Sequence, residues 1–188
     1  MNDVNLYFKK IISYEEGFFG QLNSTFKTRI KSTTNQRRKN EIYTVYSLLK
    51  ELGLLEQFSY SGTIPTLKKG YISISHDGDY LVMSMSSSQG VGIDLAKKRK
   101  PDGKLMKKLE TKDVDTFFRK WTIFEAFSKL SGLGTGVSSE GVKVDLENKQ
   151  ITYLGHKVDV YVYVEKYEDY YLAIISTKEF EIKERKIL

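Results

Sequence analysis

Tyr71-Ile72-Ser73-Ile74-Ser75-His76-Asp77-Gly78-Asp79-Tyr80-Leu81-Val82-Met83-Ser84-Met85 is the stretch that decides the fold class. Apolar and polar residues alternate from Tyr71 to Ser75, the period of a half-buried strand. His76 to Asp79 carries turn chemistry, so Tyr80 to Met85 reads as a second strand. Ser86 to Gly90 then gives a loop and Val91 to Leu95 a third strand. A helix is expected upstream over Gln36–Gly53, where Ile42, Val45, Leu49 and Leu52 fall near helical spacing and Gly53 supplies the stop. Downstream, Lys97 to Asp102 reads as a loop, with Pro101 and Gly103 leading into a short helix. Phe117 to Leu130 predicts a strong helix, with Phe117, Trp121, Phe124 and Phe127 or Ser128 on successive turns. Gly132-Leu133-Gly134-Thr135-Gly136 ends it. Further strands are expected at about 142–144, 150–153, 158–165 and 170–176.

Two segments echo each other. Asp79-Tyr80-Leu81-Val82-Met83-Ser84 resembles Asp169-Tyr170-Tyr171-Leu172-Ala173-Ile174, and a helix precedes each at a comparable offset. Any two buried strands share apolar residues. Taken as a duplication, the echo makes an α+β protein of two similar halves, 1–95 and 96–188. They would form one compact unit with a cleft where they meet, a common place for a ligand.

Composition narrows the chemistry. The 188 residues, 40% hydrophobic and 13% aromatic, are enough for one substantial core. Cys is absent, which excludes disulfides, thiolate zinc sites and cysteine nucleophiles. Met1 to Leu6 lacks the basic start and long apolar run of a signal peptide. No run of about eighteen apolar residues occurs, so no membrane span is expected. The expectation is a cytoplasmic protein. The formal charge of +6 is concentrated. Residues 1–50 carry nine Lys/Arg against four Asp/Glu, and residues 97–120 carry ten against four. Such excesses suit an anionic partner or a solvated lysine-rich surface.

Asp94 closes the apolar run Val91-Gly92-Ile93, where a carboxylate is costly to bury without a partner. A cation, an Arg or Lys, or the amides of the next loop would each serve. Glu125 and Lys129 lie four apart on one helix face, an arrangement that is usually an exposed pair contributing a few tenths of a kcal/mol. Here the large neighbours Trp121, Phe124 and Phe127 leave that helix little purely solvent-facing surface. Gly132 and Gly134 allow close backbone approach soon after.

In order, the chain reads Ser73-Ile74-Ser75-His76-Asp77, Gly92-Ile93-Asp94, Trp121-Thr122-Ile123-Phe124-Glu125-Ala126-Phe127-Ser128-Lys129 and Gly132-Leu133-Gly134. This resembles the Sfp-type 4′-phosphopantetheinyl transferases. Their signatures are an I-S-H-S/D turn, a G-[IV]-D-[IVL]-E strand and a W-[ST]-x-K-E-[AS]-x-x-K helix ending in G-x-G. The resemblance covers roughly residues 68–136. It implies a pseudo-twofold transferase-like fold and a magnesium-dependent transfer of 4′-phosphopantetheine from coenzyme A to a serine of an apo acyl, aryl or peptidyl carrier protein. Adenosine 3′,5′-bisphosphate would leave. By similarity, Asp94 and Glu125 hold Mg²⁺ against the pyrophosphate. Lys129 reaches the phosphates, and Glu125 or water held by it is the base. Asp94, Glu125 and Lys129 are thus the catalytic set. Ser75 and His76 match the turn near the nucleotide phosphates, and Arg37 and Arg38 are candidates for the 3′-phosphate.

Two positions depart from the pattern. Ala96 stands where the family places an acidic residue, and Phe124 where it places a lysine. These departures support the alternative of a non-catalytic protein that binds coenzyme A or a carrier. Nucleic-acid binding through the basic segments is not expected, since no recognised reading motif is present. If one chain supplies both halves of the cleft, a monomer suffices.

Overall fold

Strands and helices follow one another in the order β1 (Asn2–Lys10), α1 (Ser24–Lys31), α2 (Gln36–Glu51), β2 (Phe58–Ser61), β3 (Ile64–Leu67), β4 (Tyr71–Asp77), β5 (Tyr80–Ser86), β6 (Val91–Lys97), α3 (Gly103–Lys108), α4 (Val114–Leu130), β7 (Val142–Asp145), β8 (Gln150–Tyr153), β9 (His156–Lys157), β10 (Tyr161–Tyr167), β11 (Tyr170–Ser176) and β12 (Phe180–Ile187). A 3-10 turn at Glu16–Gln21 precedes α1. The structure is a computed structural model that describes residues 2–132 and 141–188. Leu133, Gly134, Thr135 and Gly136 of the expected glycine-rich stop lie outside the described residues.

The protein is mixed α+β, with four sheets among the described residues. The first has the order β12-β1-β5-β4 and the second β10-β11-β6; the hairpin β2-β3 and the ribbon β7-β8-β9 stand apart. Side-chain alternation explains how the two main sheets meet. Val4 and Leu6 of β1 and Val82 of β5 pack on Val91, Ile93, Leu95, Leu172 and Ile174 in one buried cluster. On the far side of the first sheet, Ile72, Leu81 and Met83 pack on Ile42, Val45 and Leu49 of α2. On the far side of the second, Ala173 and Ile175 pack on Ile123, Phe124, Ala126 and Phe127 of α4.

The sequence echo falls on equivalent hairpins. Tyr71 pairs with Ser86 and Asp77 with Tyr80; ninety residues on, Tyr161 pairs with Ser176 and Tyr167 with Tyr170. In each case the second strand of the hairpin runs antiparallel to an earlier strand that precedes the long helix, β1 for β5 and β6 for β11. Tyr80 and Tyr170, which open the echoed segments, meet edge to face at 5.4 Å. The 95/96 division falls within β6, which runs unbroken from Val91 to Lys97.

Some boundaries move. His76 and Asp77 belong to β4, so the turn is only Gly78-Asp79, with Gly78 at φ +57, a value glycine adopts without strain. The long helix begins at Val114 because the Asp113 side chain caps it, accepting from the Thr116 amide at 2.8 Å. The strand expected at 158–165 lies at Tyr161–Tyr167, since Val158 instead donates its amide to Ile151 of β8. No helix among the described residues is long and apolar enough to cross a membrane.

Candidate functional site

β4 has two faces, and the site is built from both. Ile72, Ile74 and His76 point toward α2, while Ser73, Ser75 and Asp77 point toward β6. The second set stitches the two main sheets together without a backbone ladder. Ser73 Oγ accepts from the Ile93 amide at 3.0 Å, Ser75 Oγ donates to Asp94 Oδ1 at 2.8 Å, and Asp77 Oδ2 accepts from the Lys97 amide at 2.9 Å. Asp94 is thereby held at a seam between halves.

β6 alternates in the same way. Val91, Ile93 and Leu95 enter the core between the sheets, and Gly92, Asp94 and Ala96 face α4. Gly92 lets that helix close in. A Cβ there would overlap the Ala126 carbonyl oxygen and lie 2.9 Å from the Leu130 amide nitrogen. With α4 this close, Lys129 Nζ donates to Asp94 Oδ1 at 2.8 Å and to the Ile93 carbonyl at 3.0 Å. Asp94 is 6% exposed, so the seam answers the question its sequence position raised: its partners are a lysine and a hydroxyl. Both donate to Oδ1.

Glu125 sits one turn before Lys129 on the same face. Burial first, and then the charge of Asp94, push its carboxyl above the ordinary value, with Lys129 offsetting part of the rise. Two carboxylates close enough to repel, served by one lysine, form a set short of positive charge. A divalent cation with oxygen preference fits it. No group of three or more Asp, Glu or His ligands gathers among the described residues, so such a site rests on these two. The positions that depart from the transferase pattern are absorbed by the core. Ala96, 2% exposed, packs with Phe117, Phe118 and Tyr171; Phe124, 5% exposed, packs with Ile123 and Phe127 and meets Trp121 at 5.6 Å.

A pH response follows from Glu125. Its ordinary carboxyl value is 4.5 and its folded value is higher. Between the two, the native protein binds more protons than the unfolded chain, so stability falls as pH rises through that window. Glu125→Gln is therefore expected to melt above the wild type at pH 7, with the difference closing below about pH 4. Calorimetric melts at both pH values test this. Equal melting temperatures at pH 7 would remove the assignment of a strained charge.

On the α2 face of β4, His76 lies in a charged cluster. Arg38 Nη1 lies 2.9 Å from His76 Nε2, and His76 Nδ1 lies 3.3 Å from Glu41 Oε1. A guanidinium only donates, so Nε2 accepts and Nδ1 carries the hydrogen toward Glu41. Burial, with Arg38, Lys129 and Arg37 acting in the same direction, outweighs Glu41 and lowers the imidazole's pKa, which keeps it neutral at pH 7. His76 thus orients Arg38. Arg38 also donates to Glu41 Oε2 at 2.9 Å, and Arg37 contacts Glu41 at 3.4 Å and Asp77 at 4.0 Å. Ser75 and His76 are adjacent in sequence but face opposite sides of the strand: Ser75 supports Asp94, and His76 supports Arg38.

Residues that sequence reasoning passed over complete the cluster. Burial works against charge on Asp77, but Arg99 and the amides of Lys97 and Gly78 outweigh it and hold the carboxyl below its ordinary value. Arg99 follows β6 and Arg37 belongs to α2, so Asp77 gathers guanidiniums from either side of the seam. Beside it, Arg38, Glu41 and His76 open into a cleft of about 90 Å³ walled by Arg29, Tyr60 and Pro65. Arg29 lies 3.9 Å over the Tyr60 ring, and its buried Nε has no hydrogen-bond partner among the described residues. The sequence signal for Arg29 was present only as one charge in a basic segment; its role depends on the β2-β3 hairpin bringing Tyr60 over it.

No protein-family model matches the chain, and no curated protein matches it.

Proposed function

We propose that the protein transfers 4′-phosphopantetheine from coenzyme A to a serine of an apo carrier protein, with Mg²⁺, in the cytoplasm. The observation that carries this is the convergence of Asp94, Glu125 and Lys129 at the seam between β4, β6 and α4. The repeated hairpins support a pseudo-twofold arrangement of the transferase kind, with the seam as its cleft. The chain is expected to act as a monomer and to need neither nucleic acid nor a membrane.

Asp94 and Glu125 would hold the ion, which when bound offsets charge on the pyrophosphate. Lys129 exchanges its bond with Asp94 for a phosphate oxygen, adding positive charge where the transition state needs it. The carrier serine oxygen attacks the phosphorus that bears pantetheine. The bond from that phosphorus to the bridging oxygen breaks, and adenosine 3′,5′-bisphosphate leaves. Glu125, or water held by it, takes the serine proton. Arg37, Arg38 and Arg29, whose Nε has no hydrogen-bond partner among the described residues, supply donors for the 3′-phosphate, with His76 holding Arg38 in place.

Incubation with Mg²⁺, coenzyme A and a panel of apo acyl, aryl and peptidyl carriers should add the mass of phosphopantetheine to one carrier serine. No transfer to any carrier would contradict the proposal. The apolar burial of Ala96 and Phe124 favours a second reading, a protein that holds coenzyme A or a carrier without reacting. Calorimetric binding of coenzyme A that is indifferent to Mg²⁺, without turnover, would select that reading.

A further inference from the structure

The two oxygens of Asp94 are in different situations. Ser75 Oγ and Lys129 Nζ both donate to Oδ1, each at 2.8 Å, while Oδ2 takes no hydrogen bond from any described residue. A carboxylate oxygen offers roughly two lone pairs, so Oδ1 is filled and Oδ2 is left open. The two donors are not equivalent either. Lys129 has several hydrogens to give, one of them to the Ile93 carbonyl at 3.0 Å, and its side chain is partly exposed. It can leave Oδ1 and keep that anchor. Ser75 is 5% exposed, on a strand paired with β5, and the single hydrogen of its hydroxyl goes to Oδ1.

We infer that Ser75 is a positioning residue: it keeps Oδ1 of Asp94 occupied, so that Asp94 meets the divalent ion through Oδ2 alone. The inference rests on the transferase reading, in which Asp94 and Glu125 hold that ion, and it extends that reading to which ion the pair selects. Mg²⁺ demands a near-ideal octahedron with short bonds, which suits one oxygen from each carboxylate. Ca²⁺ accepts more oxygens, longer bonds and both oxygens of one carboxylate. Once Lys129 has turned to a phosphate, Ser75 is the one donor left on Oδ1 among the described residues. Its hydroxyl then decides whether Asp94 stays a one-oxygen ligand or swings to offer two. The effect of Ser75 passes through Asp94, and the readout that isolates it is the choice of ion.

Wild type, Ser75→Ala and Ser75→Thr, each with coenzyme A, are titrated with Mn²⁺ by water-proton relaxation, with coenzyme A alone as the blank. The bound Mn²⁺ is then displaced with Mg²⁺ or with Ca²⁺. Loss of a partner behind a metal ligand costs about 10–100-fold in affinity. Ser75→Ala is expected to lose about that much for Mg²⁺ and far less for Ca²⁺, so its preference moves at least about tenfold toward Ca²⁺. Ser75→Thr keeps the hydroxyl and should keep the wild-type preference. An unchanged preference in Ser75→Ala, whether both affinities fall together or neither falls, would overturn the inference and leave the shared ion intact. A wild type that binds no Mn²⁺ would overturn the shared ion itself, and this inference with it. Should Ser75→Ala fail to fold, the wild type decides alone, through infrared difference spectra of protein carrying isotope-labelled aspartate, with and without Mg²⁺. Widely split carboxylate stretches are expected for ligation by one oxygen; the narrow splitting of two-oxygen ligation would contradict it.

Discussion

Asp94→Asn is expected to lower phosphopantetheine transfer at least about 100-fold while leaving the protein folded. Outer partners of metal ligands commonly cost 10–100-fold when lost, and a ligand itself should cost no less. The amide keeps the shape of the side chain and can still accept from Ser75, which donates to Oδ1 at 2.8 Å. What disappears is one of two negative charges. Because Asp94 raises the Glu125 pKa, its neutralisation should also move the Glu125 titration downward, and Lys129, freed from Asp94, adds to that shift. Carbon-detected NMR titration of the Glu125 carboxyl reads this without reference to turnover. A variant with full activity and an unmoved Glu125 titration would remove Asp94 from the site.

Gly92→Ala should have the largest effect on stability of any single methyl added near the site. The new Cβ meets backbone on α4, the Ala126 carbonyl and the Leu130 amide, and backbone within a helix cannot swing aside as a side-chain end can. Overpacking of this kind costs about 1–3 kcal/mol, which for a chain of this size is a fall in Tm of roughly 3–10 °C. Relief comes only by moving α4 off β6. That motion carries Glu125 and Lys129 away from Asp94, so transfer should fall at temperatures where the variant is still fully folded. Thermal melts and assays on one preparation separate the effects. A variant that melts with the wild type would show that the helix has room to spare.

The same glycine marks how much the sequence made legible. Val91-Gly92-Ile93-Asp94 was readable as an apolar strand with one costly carboxylate, and Glu125 and Lys129 as one helix face. That these meet follows from the close approach of Gly92 to Ala126, a contact across 34 residues of sequence that no local pattern encodes. The hairpin at Tyr71–Ser86 is legible in kind, but the polar side chains of His76 and Asp77 are of the sort that usually marks a turn. In the structure both stay in the strand, because His76 finds Arg38 and Glu41 on one face and Asp77 finds Lys97 and Arg99 on the other. β12 leaves little trace in the sequence. Phe180-Glu181-Ile182-Lys183-Glu184-Arg185 has only two apolar residues, and its pairing with β1 spans nearly the whole chain. Residues of the charged cluster such as Arg29 and Arg99 were visible as basic composition alone, since what distinguishes them is the neighbour each meets.

The central claim is that Asp94 and Glu125 share one divalent ion against coenzyme A. A crystal structure with coenzyme A and Mn²⁺ in place of Mg²⁺, phased for the anomalous signal of the metal, tests it most directly. The account predicts a single peak within bonding distance of both carboxylates and of the pyrophosphate, with Lys129 turned from Asp94 to a phosphate oxygen. Coenzyme A bound with no peak between the carboxylates, and Lys129 still on Asp94 Oδ1, would contradict it.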